Sequence, residues 1–285
     1  EGIRLPEWDY RKQALIEEYC LLQPMLADDA LPAPVPEALR AQARALKNRF
    51  SLLRPELRLQ KRQPQGDEVD LDAWMDFKTL PAKNQTQQNF YLDRSQPHRD
   101  LACLLLADLS MSTDAGINGD QRVIDLIRDS MLLFAEALSG TRDPFAIYGF
   151  SSVKNKQVRY QLLKNFNESY GDEARGRILA VKPGFYTRMG AAIRQSTLIL
   201  QQQKAQQRLL LILSDGKPND IDRYEGRYGI EDTRRAVLEA KQAGLQPFCV
   251  TIDEQGNDYL PYLFGDQGFA VISDLALNYS SEPQL

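Results

Sequence analysis

Leu101-Ala-Cys-Leu-Leu-Leu-Ala107-Asp108-Leu-Ser110-Met-Ser112 sets the fold of this chain. An unbroken apolar run from Leu101 to Ala107 is of strand length and apolar on both sides of the pleat. A strand of that kind belongs inside a sheet covered on both faces. At Asp108 the chemistry changes within one residue to carboxylate and hydroxyl, so the buried strand ends in a polar loop.

The same alternation continues toward the C-terminus. Phe145 to Phe150, Leu209 to Leu213, Phe248 to Ile252 and Phe269 to Ile272 are further apolar runs of strand length. Between them Val123, Ile127, Met131, Phe134 and Leu138 recur at helical spacing, which predicts a helix over Gln121 to Ser139 with Gly140 as its C′ residue. Met189, Ile193 and Leu200 mark a second helix. Glu231 and Asp232 at one end and Gly244 at the other bracket a third, in the order the helix dipole favours. Val158 to Leu162 alternates like a strand at the sheet edge. Strands separated by helices predict an α/β, doubly wound, mostly parallel sheet flanked by helices.

The first 98 residues read differently. Pro6, Pro24, Pro32, Pro34 and Pro36 interrupt the start, and one helical stretch runs from about Pro36 to Leu53. We expect residues 1–98 to form a helical or extended arm outside the sheet, residues 99–275 the α/β domain, and residues 276–285 a tail. The arm is basic through Arg40, Arg44, Lys47, Arg49, Arg54, Arg58, Lys61 and Arg62, then acidic through Asp67, Glu68, Asp70, Asp72 and Asp76. That pattern suits a solvated face with partly compensating charges, or a docking surface for another subunit.

Composition narrows the function. The chain has 285 residues, a formal net charge of −4 and 26% charged residues. Nucleic-acid binding through bulk charge needs a clear basic excess, which is missing. Cys20, Cys103 and Cys249 have no metal-ligand or redox spacing and read as buried thiols in a reducing compartment. His98 is the single histidine, so a Ser-His-Asp catalytic system is a poor fit. No apolar stretch reaches the roughly 20 residues that cross a bilayer, and Glu1 to Tyr10 lacks the pattern of a signal peptide. These features predict a cytoplasmic chain without membrane insertion. The opening at Glu1 and not at methionine suggests a piece of something longer.

In a doubly wound sheet the loops leaving the carboxyl ends of the strands share one rim, where ligands bind. That places Asp108-Leu-Ser110-Met-Ser112, Thr187 and the loop beginning Ser214-Asp215-Gly216-Lys217-Pro218 side by side. Two carboxylates and three hydroxyls would face a common centre. Hard oxygens without histidine or thiolate suit Mg²⁺, with Mn²⁺ or Ca²⁺ as alternatives. Taken singly, each of these residues is an ordinary helix cap or Asx and ST turn; their conjunction at predicted carboxyl-edge loops is what points to a cation.

These five residues resemble the metal-ion-dependent adhesion site of the von Willebrand factor A domain family, which has the pattern D-x-S-x-S, then Thr, then Asp. The resemblance covers about Arg99 to Leu275. It implies metal ligation by Asp108, Ser110, Ser112, Thr187 and Asp215, with a partner's Glu or Asp carboxylate as the last ligand. Lys182-Pro-Gly-Phe-Tyr-Thr-Arg-Met-Gly-Ala-Ala-Ile-Arg194 and the stretch from Ser214 to Arg235 are similar to the CbbO/NorD family of partner proteins of MoxR-type AAA+ ATPases. That likeness implies a non-catalytic adaptor that couples a target to the ATPase ring. The target would be Rubisco, as for CbbO, toward which the reading leans slightly, or nitric oxide reductase, as for NorD. Pro6-Glu-Trp-Asp-Tyr-Arg11 extends the likeness weakly into the first 98 residues.

The loop from Lys217 to Gly229 is dense in charge and aromatic residues, including Lys217, Asp220, Asp222, Arg223, Tyr224 and Arg227. Such loops are solvated connections or protein interfaces, where Tyr and Arg are enriched; we assign these six to partner binding. A Mg²⁺-dependent phosphatase of haloacid dehalogenase type would need a second acid two residues after Asp108, where Ser110 stands. No nucleotide-binding glycine motif is present. A cation that only braces the loops is the remaining alternative.

Overall fold

The computed structural model describes residues 2–26, 30–52, 58–65, 68–79, 89, 91–95, 100–114, 116–118, 121–141, 143–253 and 255–271. The chain opens with β1 (Ile3–Asp9) and β2 (Ala14–Leu26), followed by helix α1 (Arg40–Leu52). β3 (Arg58–Gln63), β4 (Glu68–Val69), α2 (Leu71–Thr79) and β5 (Tyr91–Ser95) come next. The central strand β6 (Leu101–Asp108) precedes a short hairpin, β7 (Gly116–Asn118) and β8 (Gln121–Arg122), and helix α3 (Val123–Thr141). Then follow β9 (Phe145–Val153), β10 (Gln157–Lys164), α4 (Asp172–Leu179) and α5 (Met189–Gln201). The chain continues through β11 (Gln207–Ser214), α6 (Arg227–Gln242), β12 (Gln246–Thr251), α7 (Gly256–Phe264) and β13 (Phe269–Val271).

Eight strands form one sheet in the order β1-β2-β10-β9-β6-β11-β12-β13. From β9 to β13 every pair is parallel, and β10 runs antiparallel to β9. The fold is therefore the expected doubly wound α/β sheet. Each face has its own core, because successive residues of β6 point to opposite sides. Leu104 and Leu106 join the helices α5, α6 and α7 on one side, whereas Cys103, Leu105 and Ala107 join α3 and α4 on the other. The three cysteines are buried and unpaired, as expected.

Two expectations are corrected. Residues 3–26 are not an arm outside the sheet: β2 pairs parallel with β10 and β1 closes the edge beyond it. The prolines misled the reading because Pro6 sits in an edge strand, where no ladder partner is lost, and beside a register shift between Leu5 and Glu7. As a consequence β10 is interior, not at the edge. The helical part of the first hundred residues is in place as α1, whose Arg40, Arg44, Lys47 and Arg49 are exposed, a solvated face. Asp70 starts α2, accepting from Ala73 N at 3.3 Å. Arg54 and Asp67, like the tail beyond residue 271, lie outside the described residues.

Gly140 also departs from its expected role. It lies inside α3, not after it. A Cβ there would sit 2.9 Å from the carbonyl oxygen of Lys47, so glycine permits α1 and α3 to cross closely. Gly176 does the same for α4 and the segment 30–36, where Ala33 N donates to Asp172 O at 3.0 Å. A Cβ at Gly176 would overlap the carbonyl oxygen of Leu31. Gly176→Ala is expected to cost about 1–3 kcal/mol and to expose that segment to protease; an unchanged melting temperature with unchanged cleavage would contradict this packing.

Candidate metal centre

The chain reverses direction across the sheet at β6, with β9 on one side and β11 on the other, which is the switch point where such sheets bind ligands. Backbone hydrogen bonds stitch the converging loops together. Leu109 N donates to Phe150 O at 2.9 Å, Met111 N to Phe185 O at 2.8 Å, and Ser152 N to Tyr186 O at 2.7 Å. Thr187 and Asn219 exchange both of theirs, at 2.7 and 3.0 Å, tying the third loop to the second.

The side chains meet where these loops meet. Asp108 is fully buried, Ser110 and Thr187 nearly so. Ser110 N donates to Asp108 Oδ1 at 3.0 Å, and the hydroxyls of Ser110 and Ser112 lie 2.8 Å apart. Thr187 Oγ1 donates to Asp108 Oδ2 at 3.2 Å, so it serves the carboxylate and does not cap α5. The Ser112 hydroxyl and the Asp108 carboxylate both lie close enough to Asp215 for their electrostatics to interact. All five residues singled out by their spacing are thus connected. Ser214 joins them, donating to Asp108 Oδ2 at 3.2 Å; its place directly before Asp215 was the signal that sequence reading passed over.

The electrostatics are unfavourable as they stand. Burial first, and then the charge of Asp215, raise Asp108 from the ordinary carboxylate range to about 7. Asp215 is raised too, chiefly by burial. Its Oδ1 is buried with no hydrogen-bond partner. Two carboxylates with an orphaned oxygen, among the hydroxyls of Ser110, Ser112, Thr187 and Ser214, fit a hard divalent cation. Among the described residues no three histidine, cysteine or carboxylate side chains converge as a metal cluster, here or elsewhere; this site offers two carboxylates and otherwise hydroxyls.

A pH dependence follows for the metal-free chain. Folded Asp108 keeps its proton up to about pH 7, whereas the unfolded group releases it near 4. The folded state therefore binds more protons across that window, and stability falls as pH rises through it. Melting temperatures measured in chelator should decline from pH 5 to pH 8; a flat or rising profile would contradict the buried pair.

The six residues assigned to partner binding divide. Lys217, Arg223 and Arg227 are exposed. Tyr224 and Asp220 are buried, and Asp222 is turned onto Arg188, which it engages with both oxygens at 2.5 Å. Buried Asp220 and Tyr224 could meet a partner only if the loop rearranged, whereas Asp222 stays partly exposed beside its pairing with Arg188. They surround Arg188, itself fully buried. Its guanidinium donates to Asp220 Oδ2 at 3.3 Å, pairs with Glu7 of β1, and lies 4.3 Å from the centre of the Tyr224 ring. Tyr224 Oη donates to Asp232 at 2.7 Å, and Trp8 N donates to the same carboxylate at 2.8 Å. Sequence reading missed Arg188 because its partners lie 181, 32 and 34 residues away.

The fold that carries this cluster is a doubly wound, mostly parallel α/β sheet flanked by helices. Over nearly its whole length the chain is similar to proteins named NorD. That of Stutzerimonas stutzeri is 54% identical over 275 residues, which is 96% of this chain and 45% of that protein. That of Brucella abortus is 40% identical over 273 residues, 95% of this chain and 43% of that protein. An uncharacterized protein of Pseudomonas aeruginosa is 57% identical over 272 residues, 95% and 44% respectively. The chain thus spans a little under half the length of these relatives. No protein-family model matches it. Among solved structures, the D319A mutant of the PilB minor pilin from Streptococcus sanguinis aligns with TM-score 0.48 at 14% identity, covering 64% of this chain and 59% of that one. A von Willebrand factor type A protein from Catenulispora acidiphila aligns with TM-score 0.39 at 18% identity, covering 65% and 40%. Among the described residues no helix is long and apolar enough to cross a membrane.

Proposed function

We propose that this domain binds one divalent cation, Mg²⁺ in the first instance, through Asp108, Ser110, Ser112, Thr187 and Asp215, and uses it to hold an acidic side chain of a partner protein. The observation that carries the reading is the buried, unpartnered Oδ1 of Asp215 in the same hydroxyl-lined cluster as Asp108. A cation there would neutralise two carboxylates that otherwise repel, and a small octahedral ion with few protein ligands keeps positions for water or another acid. The chain's own part is to fix the ligands. Ser214 and the backbone N–H of Ser110 orient Asp108, and the paired backbone of Thr187 and Asn219 holds the Thr187 hydroxyl in place.

The domain acts as an adaptor that presents a target to a MoxR-type AAA+ ATPase, which supplies ATP hydrolysis. Similarity to proteins named NorD shifts the favoured target from Rubisco to nitric oxide reductase, and the role from a CbbO-like to a NorD-like one. We place that function in the cytoplasm. Exposed Lys217, Arg223 and Arg227 remain candidates for partner contact beside the cation.

Capture of purified nitric oxide reductase by the immobilised chain, with Mg²⁺ and then with chelator, tests the reading. We expect retention with Mg²⁺ and release with chelator. Retention indifferent to the cation would leave it only a structural brace.

A further inference from the structure

A cavity of about 140 Å³ adjoins the cation site on the α3 side of the sheet. Leu109, next to Asp108, forms one wall, and Phe185, two residues before Thr187, forms another. Arg159 and Gln161 of β10 line it opposite Ser151 and Gly149 of β9, their cross-strand partners. Lys182 stands exposed at its mouth.

Two features set this cavity apart. Among the described residues neither Arg159 nor Lys182 has a carboxylate within ion-pair distance, although the chain as a whole carries a net charge of −4. Arg159 is nevertheless held in place: its guanidinium carbon lies 3.8 Å from the centre of the Phe185 ring, a cation–π contact that restricts a long side chain. Phe185 has a φ of 73°, a left-handed conformation that is strained for a residue with a side chain. The hydrogen bonds from Met111 N to Phe185 O and from Gly184 N to Leu109 O, at 2.8 and 2.9 Å, tie it to the loop of Asp108 and Ser110. Arg159 is thus held against the same loops as the proposed metal ligands, and Lys182 stands exposed on one of them.

Resting on the cation reading above, we infer that this cavity is a second acid-binding subsite. A partner segment that sets one carboxylate on the cation sets a second against Arg159 and Lys182, with Leu109 and Phe185 packing on the chain between them. The domain therefore reads a pair of acids at a defined spacing, and specificity among acidic partners comes from that spacing.

Labelled Gly/Ser peptides test this, one carrying a single Glu and a series carrying a second Glu at spacings of roughly one to six residues. Affinities are measured by anisotropy on the whole chain in Mg²⁺. At least one spacing should bind about tenfold tighter than the single-Glu peptide, the effect of one added charge-assisted hydrogen bond. Arg159→Gln with Lys182→Gln should erase that gain and leave single-Glu binding and its Mg²⁺ dependence unchanged. A gain that survives the double substitution, or no gain at any spacing, overturns the subsite alone. Single-Glu binding that ignores Mg²⁺, or no binding of any peptide at millimolar concentration, overturns the cation reading and the subsite with it.

Discussion

Asp108→Asn should abolish Mg²⁺ binding and target capture while leaving the sheet folded. Asparagine has the same shape: its Oδ1 can still accept from Ser110 N, and its Nδ2, in place of the other oxygen, can donate to the hydroxyl oxygens of Thr187 and Ser214 once these rotate, the three groups reaching Asp108 at 3.0 to 3.2 Å. What it lacks is charge. One unit charge at 4 Å in an effective dielectric of 20 is worth about 4 kcal/mol, so removing one of two carboxylates from a divalent ion's site should weaken binding by at least about 100-fold. Without cation the variant should be more stable than the parent above pH 7, because it no longer buries two repelling carboxylates. That gain separates lost ligation from lost folding. Calorimetric titration with Mg²⁺ and melting in chelator at pH 8 measure both; unaltered Mg²⁺ affinity, or a lower melting temperature in chelator, would contradict the assignment.

Arg188→Met should have the largest effect on stability. It would strip the counter-charge from Glu7, Asp220 and Asp222, of which the first two are fully buried. Burial already raises Glu7 above the ordinary carboxylate range, with Arg188 as the main opposing influence. Breaking a buried pair from one side costs about 3–5 kcal/mol, a fall in melting temperature on the order of 10 °C for a domain of this size. Glu7→Gln in the same chain should recover part of the loss, since it removes one stranded charge. If the single variant does not fold, Arg188→Lys serves in its place: it keeps the charge, loses the planar fork, and should fall between the parent and Met. Because Arg188 follows Thr187 directly, Mg²⁺ affinity should drop as well. Equal melting temperatures for parent and Arg188→Met would mean the network contributes nothing.

How much of this was legible in the sequence depends on where each residue finds its partner. β6, β9, β11 and β12 are continuous apolar runs, so burial on both faces was visible locally. The nearness of the five residues of the proposed site could be read from sequence because each follows or heads an element whose position the pattern already specified. β1 was not. Its buried positions are Leu5, Glu7 and Asp9, so the inward face carries two acids where alternation would look for apolar residues. Arg188, 181 positions away, supplies the main counter-charge for a buried Glu7, helped by Cys20 Sγ and by Arg223 at 3.8 Å, and nothing local announces such a pairing. For the same reason Tyr224, Asp220 and Asp222 read as surface: their composition suits an interface equally well, and the buried guanidinium that turns them inward lies across the fold. Helix α7 carries Pro261 within it, and that breaker obscured a helix that packs Leu260, Leu263 and Phe264 into the core.

Anomalous diffraction from crystals of the chain grown in Mn²⁺ examines the cation directly. One manganese peak should stand at about 2.1 Å from side-chain oxygens of the cluster formed by Asp108, Ser110, Ser112, Thr187 and Asp215, and it should vanish in Asp108→Asn. Manganese bound elsewhere, or a cluster that stays empty at saturating Mn²⁺, would contradict the proposed metal centre and the partner capture built on it.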